Sequence, residues 1–259
     1  MKMDTKAIEE IWPEEYNGAL YGLSVVVFSA LIFYVLSKVS LLCAPHTAKN
    51  CIWKWKNISI SFVHSCLSGI WSCYCFYDLP KLAEDMIKTH SVLSHTLISV
   101  SVGYFLYDCV DMMLYQRNRQ SYELMGHHIV ILVCFTIAIV TRMYVGYAVV
   151  ALVIELNSIF LHLRQLFQIC GLKKDNPFYR FNSVVNLGTF VIFRISIMAW
   201  MSRWMLINKD LIPLVFYTLG SIGLAVMMVM NIILFYRLLQ SDFIRKKDVQ
   251  MSDQVTKED

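Results

Sequence analysis

Seven long apolar stretches constrain the fold of this chain more than any other feature. A helix needs about 20 apolar residues to cross the hydrocarbon core of a bilayer, which is about 30 Å thick. Stretches of this kind lie at 20–42, 58–77, 96–115, 123–140, 143–169, 184–205 and 211–240. We therefore predict an all-α, polytopic membrane helix bundle with seven transmembrane helices.

The composition agrees with this fold class and argues against a soluble one. Of the 259 residues, 57% are hydrophobic and only 16% are charged, which a soluble globule could not easily bury. The basic residues lie between apolar runs, so we expect no nucleic acid partner. The eight cysteines have neither the spacing of a zinc site nor that of a secreted disulfide framework, and we expect them to be reduced.

Lys and Arg are divided unequally between the two sides of the predicted bundle. Fifteen lie on the side of the C-terminus and seven on the side of the N-terminus. Because cytosolic loops carry the excess of basic residues, we predict that the N-terminus is outside and the C-terminus cytosolic. The predicted organisation is an extracellular tail at 1–18, the bundle at 19–240 and a disordered cytosolic tail at 241–259.

Ionisable side chains interrupt the apolar stretches. Each needs a partner or a wet cavity, because a charge inside a bilayer costs roughly 2.5–3.5 kcal/mol. They are His64, Asp108, Asp111, His127, His128, Glu155 and Arg194. At a rise of about 1.5 Å per residue, all of them fall in the cytosolic half or the middle of the predicted spans. We predict that these residues, with Asn157, line a central polar cavity that opens toward the cytosol.

The two aspartates of the third span also have a purely structural interpretation. Asp108 and Asp111 could pair with Arg117, with Arg119 or with a histidine and so hold helices together. In the functional interpretation they line the polar cavity. The sequence alone leaves both interpretations open.

The remaining ionisable residues have similar alternatives. His127 and His128 could mark a helix that begins at the membrane interface. Neighbouring residues on a helix point about 100° apart, so this pair cannot easily bind one metal ion, and we predict no metal site. Arg194 is expected to neutralise Glu155 or Asp111, because an unpaired guanidinium is costly in mid-span.

Four separate segments are informative together, at 59–71, 101–111, 125–128 and 154–164. In this order they resemble the TLC (TRAM, LAG1, CLN8) domain. The resemblance implies a TLC domain at about 48–240, and it is greatest to the subgroup of TLC domain-containing proteins 1 and 2.

The ceramide synthases share this domain and carry a His-His pair followed by a His-Asp and a second Asp. The pair here is His127 and His128, whereas the later positions hold Ile154, Glu155 and Ser158. One acid is thus replaced by Glu155 and another is lost. An acyl transfer to an amine would need the full set of acids and bases.

For the nearer subgroup, the resemblance implies a non-enzymatic regulator of phospholipid composition and fluidity. It would limit the incorporation of polyunsaturated acyl chains into phospholipids and promote membrane rigidity. It implies the plasma membrane, with the endoplasmic reticulum as the alternative. We expect no cofactor. The expected ligand is acyl-CoA or phospholipid, and the expected partners are membrane lipids and phospholipid acyltransferases.

Two other classes of function stay open. The first is an acyl-CoA-dependent acyltransferase that uses His127 or His128 as a general base, with Glu155 orienting it. The second is a transporter or a receptor, which the seven spans and the intramembrane charges favour. The sequence shows neither an inverted repeat nor the paired, broken helices that many transporters use.

Overall fold

The computed structural model describes residues 18–116 and 119–244, and within these ranges the chain is helical. Seven helices are long and apolar enough to cross a membrane, which confirms the predicted fold class. They are α1 (Gly18–Leu42), α2 (His46–Asp78), α3 (Val92–Tyr115), α4 (Ser121–Thr141), α5 (Val145–Ile169), α6 (Pro177–Ile207) and α7 (Leu214–Asp242).

Two helices begin well before the apolar stretches that predicted them. α2 begins at His46 rather than near residue 58, with a short 3-10 turn before the α-helix. α6 begins at Pro177 rather than near residue 184, and the Asn176 side chain caps it by accepting from the Phe178 N–H at 2.9 Å. An Asn cap followed by Pro is a strong helix start, but it does not register in hydropathy.

α3 is the central helix of the bundle and α7 is the most peripheral one. In their most apolar stretches, 72% of α3 is buried but only 11% of α7. α3 packs against α1, α2 and α4. The contact with α1 is so close that a Cβ at Gly103 would lie 2.5 Å from the Val26 carbonyl oxygen. Only glycine therefore fits at this crossing without a shift of the backbone.

Two helices are irregular in the middle of the bundle. α5 is interrupted at Ile154, between helical segments Val145–Val153 and Glu155–Ile169. α6 contains a π-helical segment, Phe190–Ser196, which includes Arg194. Such π segments are rare and occur frequently at functional sites.

The last described residues are helical and firmly held. A π-helical segment, Gln240–Ile244, continues α7 into the first residues of the predicted disordered tail. Asp242 is buried there and accepts from Arg164 Nε at 2.6 Å and from Ser183 Oγ at 3.1 Å. The tail therefore cannot begin at residue 241. Residues 1–17 of the predicted extracellular tail, which was placed at 1–18, and the rest of the C-terminal tail lie outside the described residues.

Candidate functional site

A cavity of about 570 Å³ lies inside the bundle, and residues of α2 to α7 line it. Along α4 its lining changes from Glu123, His127 and His128 to the apolar Phe135 and Ala138. The polar residues are at the end where α4 begins, which is the predicted cytosolic side. One wall of the cavity thus passes from polar to apolar along its length.

The neighbouring wall, on α7, shows the same gradient in the reverse direction of the chain. Arg237 and Asn231 line the polar part, and Met227 and Phe216 line the apolar part. α7 runs antiparallel to α4 and packs against it, so the polar parts of the two walls lie side by side, and Arg237 Nη2 donates to Glu123 Oε2 at 3.0 Å. From Phe216 to Arg237 the lining extends about 30 Å at 1.5 Å per residue, which is the thickness of a hydrocarbon core.

Asp111 is paired but lies behind the cavity lining. Lys56 Nζ donates to Asp111 Oδ1, and Trp53 Nε1 donates to its other oxygen at 2.9 Å. The ammonium also lies 4.9 Å from the centre of the Tyr115 ring. This arrangement supports the structural interpretation of Asp111, with a lysine rather than an arginine as its partner. Lys56 precedes the predicted span at 58–77, whereas the structure buries it within α2.

Asp108 lines the cavity beside a histidine. It accepts a hydrogen bond from Asn57 Nδ2 at 2.5 Å, and its other oxygen lies 3.3 Å from His128 Nδ1. The geometry of the second contact falls short of a hydrogen bond. Both side chains are buried, so the carboxylate and the imidazole form a close polar pair on the cavity wall. Arg117 lies outside the described residues, and the side chain of Arg119 is not described either.

His64 is part of the packed interior rather than of the lining. Its ring stacks on Tyr104, with 3.9 Å between the ring centres, and the side chain is 1% exposed. The Tyr104 hydroxyl donates to Ser61 Oγ at 2.9 Å. Tyr104 itself lines the cavity, so His64 supports the wall from behind.

Glu155 lines the cavity directly after the break in α5. It accepts a hydrogen bond from Ser65 Oγ at 2.7 Å. α2 approaches this region closely, because a Cβ at Gly69 would lie 3.0 Å from the Leu156 nitrogen. This face of α2 thus packs closely against α5 and also supplies a donor, Ser65, to the site.

Arg194 is buried and is held by neutral oxygen atoms. Nε donates to Asn157 Oδ1 at 2.6 Å, Nη1 donates to Asn231 Oδ1 at 2.9 Å, and Nη2 donates to Ser158 Oγ at 2.6 Å. The neutralisation predicted with Glu155 or Asp111 is not a direct ion pair among the described residues, since neither carboxylate lies within 4 Å of the guanidinium, and Glu155 interacts with it electrostatically over a greater distance. Amide and hydroxyl oxygens accept from three of its N–H groups instead.

Asn157 is fully buried and lies outside the cavity lining, where it fixes Arg194. Its Nδ2 donates to the backbone and side-chain oxygens of Asn186, each at 3.0 Å. Because arginine carries only donors, the Asn157 oxygen must point at it. Asn157 therefore orients Arg194 rather than facing a ligand.

His127 lines the cavity together with His162, which was not among the ionisable residues predicted to line it. The ring centres of His127 and His128 are 5.4 Å apart. His162 follows Glu155 and Ser158 on one face of α5, and this spacing was the signal that could have identified it. Within the described residues, no three His, Cys, Asp or Glu side chains are arranged to hold a metal ion.

Comparisons with known proteins point to one family. Residues 54–240, which include every predicted site residue, match the TLC domain family. The chain is 54% identical over 222 residues to TLC domain-containing protein 2 of Danio rerio, covering 86% of this chain and 89% of the relative. The human protein of that name is 36% identical over 229 residues, covering 87% and 86%. TLC domain-containing protein 1 of Rattus norvegicus is 32% identical over 212 residues, covering 81% and 83%.

Proposed function

Because this chain belongs to the TLC domain family, we propose that it regulates the phospholipid composition and fluidity of its membrane. In this proposal it limits the incorporation of polyunsaturated acyl chains into phospholipids and so promotes membrane rigidity. Its ligand is a phospholipid or acyl-CoA bound in the cavity, and phospholipid acyltransferases are its protein partners.

The observation that supports this proposal is the gradient of polarity along the cavity. Ligand sites typically have volumes of roughly 300–1,000 Å³ and combine an apolar lining with a few polar groups, and this cavity of about 570 Å³ fits that description. A long acyl chain matches its apolar part, which runs between Met227 and Phe216 on α7. A polar headgroup matches the end with Glu123, His127 and Arg237.

The orientation predicted from Lys and Arg places the polar end of the cavity at the cytosolic leaflet, where acyl-CoA is present. The compartment we propose is the plasma membrane, with the endoplasmic reticulum as the alternative. Imaging of a fluorescent fusion beside markers for both membranes distinguishes them, and a signal confined to the endoplasmic reticulum would contradict the first choice.

Lipidomics with a blocked cavity tests the regulatory role. Ala151 lines the cavity, whereas Ala199 is exposed on α6, so the same change to Phe fills the cavity at one site and not at the other. Cells that lack the protein should contain more polyunsaturated phosphatidylethanolamine. The wild type and Ala199→Phe should restore the lower level, but Ala151→Phe at equal abundance should not.

Two outcomes would count against this function. If loss of the protein leaves polyunsaturated phosphatidylethanolamine unchanged, the regulatory role is wrong. If Ala151→Phe restores the lipid profile as well as Ala199→Phe does, the cavity is not where the protein acts.

An acyl-CoA-dependent acyltransferase is the second candidate, and the pair of His128 and Asp108 favours it. A general base is commonly a histidine oriented by a carboxylate. The carboxylate beside His128 is Asp108, whereas Glu155, which was predicted for this role, bonds Ser65. The distance of 3.3 Å suits a pair that tightens when substrate binds.

Turnover by the purified protein tests this candidate. The protein is supplied with acyl-CoA and a panel of amine and lysophospholipid acceptors. Product formation that His128→Ala abolishes and Asp108→Asn reduces would establish the enzyme. Absence of product with every acceptor would leave the regulatory function.

A further inference from the structure

One residue of the cavity wall, Asn231, has a buried hydrogen-bond donor without a partner. Asn231 is 5% exposed, and its Nδ2 has no partner among the described residues. Leaving a buried donor unpaired costs roughly 1–3 kcal/mol. A ligand in the cavity that accepts from this donor would remove that cost.

The orientation of this amide is fixed by its neighbour. The oxygen and nitrogen of an asparagine side chain are hard to tell apart by shape. Here Arg194 Nη1 lies 2.9 Å from one of them, and arginine has no acceptor. The oxygen must therefore face Arg194, and the two N–H groups of Nδ2 are left for another acceptor.

Arg194 adds donors at the same place. A guanidinium has five N–H groups, and three of them are used by Asn157, Ser158 and Asn231. Two remain without a partner among the described residues, and Arg194 also lines the cavity. The group that fits here must therefore accept hydrogen bonds and need not donate any.

The position along the cavity identifies the kind of acceptor. Beyond Asn231, the lining of α7 is apolar as far as Phe216, a distance of about 22 Å. In the other direction α7 contributes Ile233, Leu234 and then Arg237, and α4 contributes its two histidines. Asn231 thus stands where an apolar chain would end and a polar headgroup would begin. In an acylated lipid, that junction is the carbonyl oxygen of an ester or thioester.

We infer that Asn231, supported by Arg194, recognises the carbonyl oxygen of an acyl ester or thioester and so sets the depth to which the acyl chain enters the cavity. This inference rests on the proposed binding of lipid or acyl-CoA and adds to it a residue and a functional group. It predicts a preference for acyl ligands over alkyl ligands that lack the carbonyl.

Matched pairs of probes test this preference in the full-length protein reconstituted in nanodiscs. One pair is oleoyl-CoA and the thioether of CoA with the same chain. The other is oleoyl lysophosphatidylcholine and its alkyl ether. The wild type should bind the carbonyl member of at least one pair more tightly, on the order of tenfold for one buried hydrogen bond. The pair that is discriminated identifies the ligand as acyl-CoA or phospholipid.

Asn231→Asp is the decisive variant, because it keeps an oxygen for Arg194 and replaces the donor with a second acceptor. It should abolish the preference for the carbonyl. Asn186→Asp is the matched control, since Asn186 is also buried with an unpaired Nδ2 but lies outside the cavity lining. The control should keep the preference. Gel filtration and thermal unfolding confirm that each variant is folded.

A measurement on the wild type alone covers the case in which Asn231→Asp does not fold. The infrared band of a ¹³C-labelled carbonyl should move to lower frequency when the probe is bound, compared with the same probe in lipid.

The outcomes separate this inference from the proposed function. Equal affinity for both members of each pair, an unshifted carbonyl band, or a preference that persists in Asn231→Asp would overturn the role of Asn231. If none of the four probes binds, the proposed lipid-binding function fails as well.

Discussion

Removing one side of the buried ion pair between Lys56 and Asp111 is expected to destabilise the whole bundle. The two side chains belong to α2 and α3 and are 8% and 7% exposed. Asp111→Asn keeps the shape of the side chain but leaves the ammonium without a counter-ion. The loss of one partner from a buried pair typically costs about 3–5 kcal/mol, because the other charge remains buried.

This cost translates into a measurable shift of the unfolding temperature. For chains of this size, 1 kcal/mol corresponds to roughly 2–4 °C, so the full range is about 6–20 °C. The ring of Tyr115, 4.9 Å from Lys56 Nζ, continues to face the ammonium and offsets part of the loss. We therefore expect a decrease of roughly 6–12 °C.

The assay is thermal unfolding in nanodiscs, followed by tryptophan fluorescence. Lys54→Met is the matched control, because Lys54 is exposed two residues away and should change the midpoint by less than about 2 °C. Replacing both partners with apolar residues, Lys56→Met with Asp111→Leu, should recover most of the stability. A midpoint for Asp111→Asn that equals the wild type would show that the pair does not hold α2 against α3.

Three further predictions address packing, the end of α7 and orientation. Gly103→Ala should lower the unfolding midpoint by several degrees, because its Cβ would lie 2.5 Å from a carbonyl oxygen of α1. The control Gly188→Ala, whose Cβ would have nothing within 4 Å, should be neutral or slightly stabilising. Equal midpoints for the two variants would contradict the close crossing of α1 and α3. Asp242→Asn should lower the midpoint by roughly 5 °C, since it leaves the buried Arg164 facing a neutral amide. An unchanged midpoint would show that this contact is dispensable. In a variant whose only cysteine is Cys170, which is exposed at the end of α5, a membrane-impermeant maleimide should react only after the cells are permeabilised; labelling of intact cells would reverse the predicted orientation.

The sequence predicted the seven spans well because the thickness of a bilayer imposes a length and a polarity on each of them. It predicted the starts of α2 and α6 poorly, because both helices begin in segments that contain polar and charged residues. A hydropathy search ends where charges begin, but Lys56 lies inside α2 because its charge is neutralised within the protein. Its partner is Asp111 on another helix, and no local pattern connects the two.

The direct hydrogen-bond partners of Arg194 could not be predicted, for a related reason. Matching a buried cation with a carboxylate is sound electrostatics, but it does not say which helix faces meet. The structure brings Asn157 from α5 and Asn231 from α7 to the guanidinium. Three oxygens of neutral groups accept hydrogen bonds from the guanidinium. Neither asparagine carries a charge that would mark it in the sequence.

The two complete, buried ion pairs differ from Asn231 in their place relative to the cavity. The ion pairs of Lys56 with Asp111 and of Arg164 with Asp242 are complete, and none of these four residues lines the cavity. Asn231, which lines it, keeps an unpaired donor. A ligand that accepts from this donor would stabilise the folded protein, by about 2.7 kcal/mol at a hundred times its dissociation constant. Asn231→Asp would instead pair directly with the nearby guanidinium, so the empty protein should gain stability while its response to the ligand decreases. An open donor that weakens the empty protein is expected of a binding site, where stability and recognition compete.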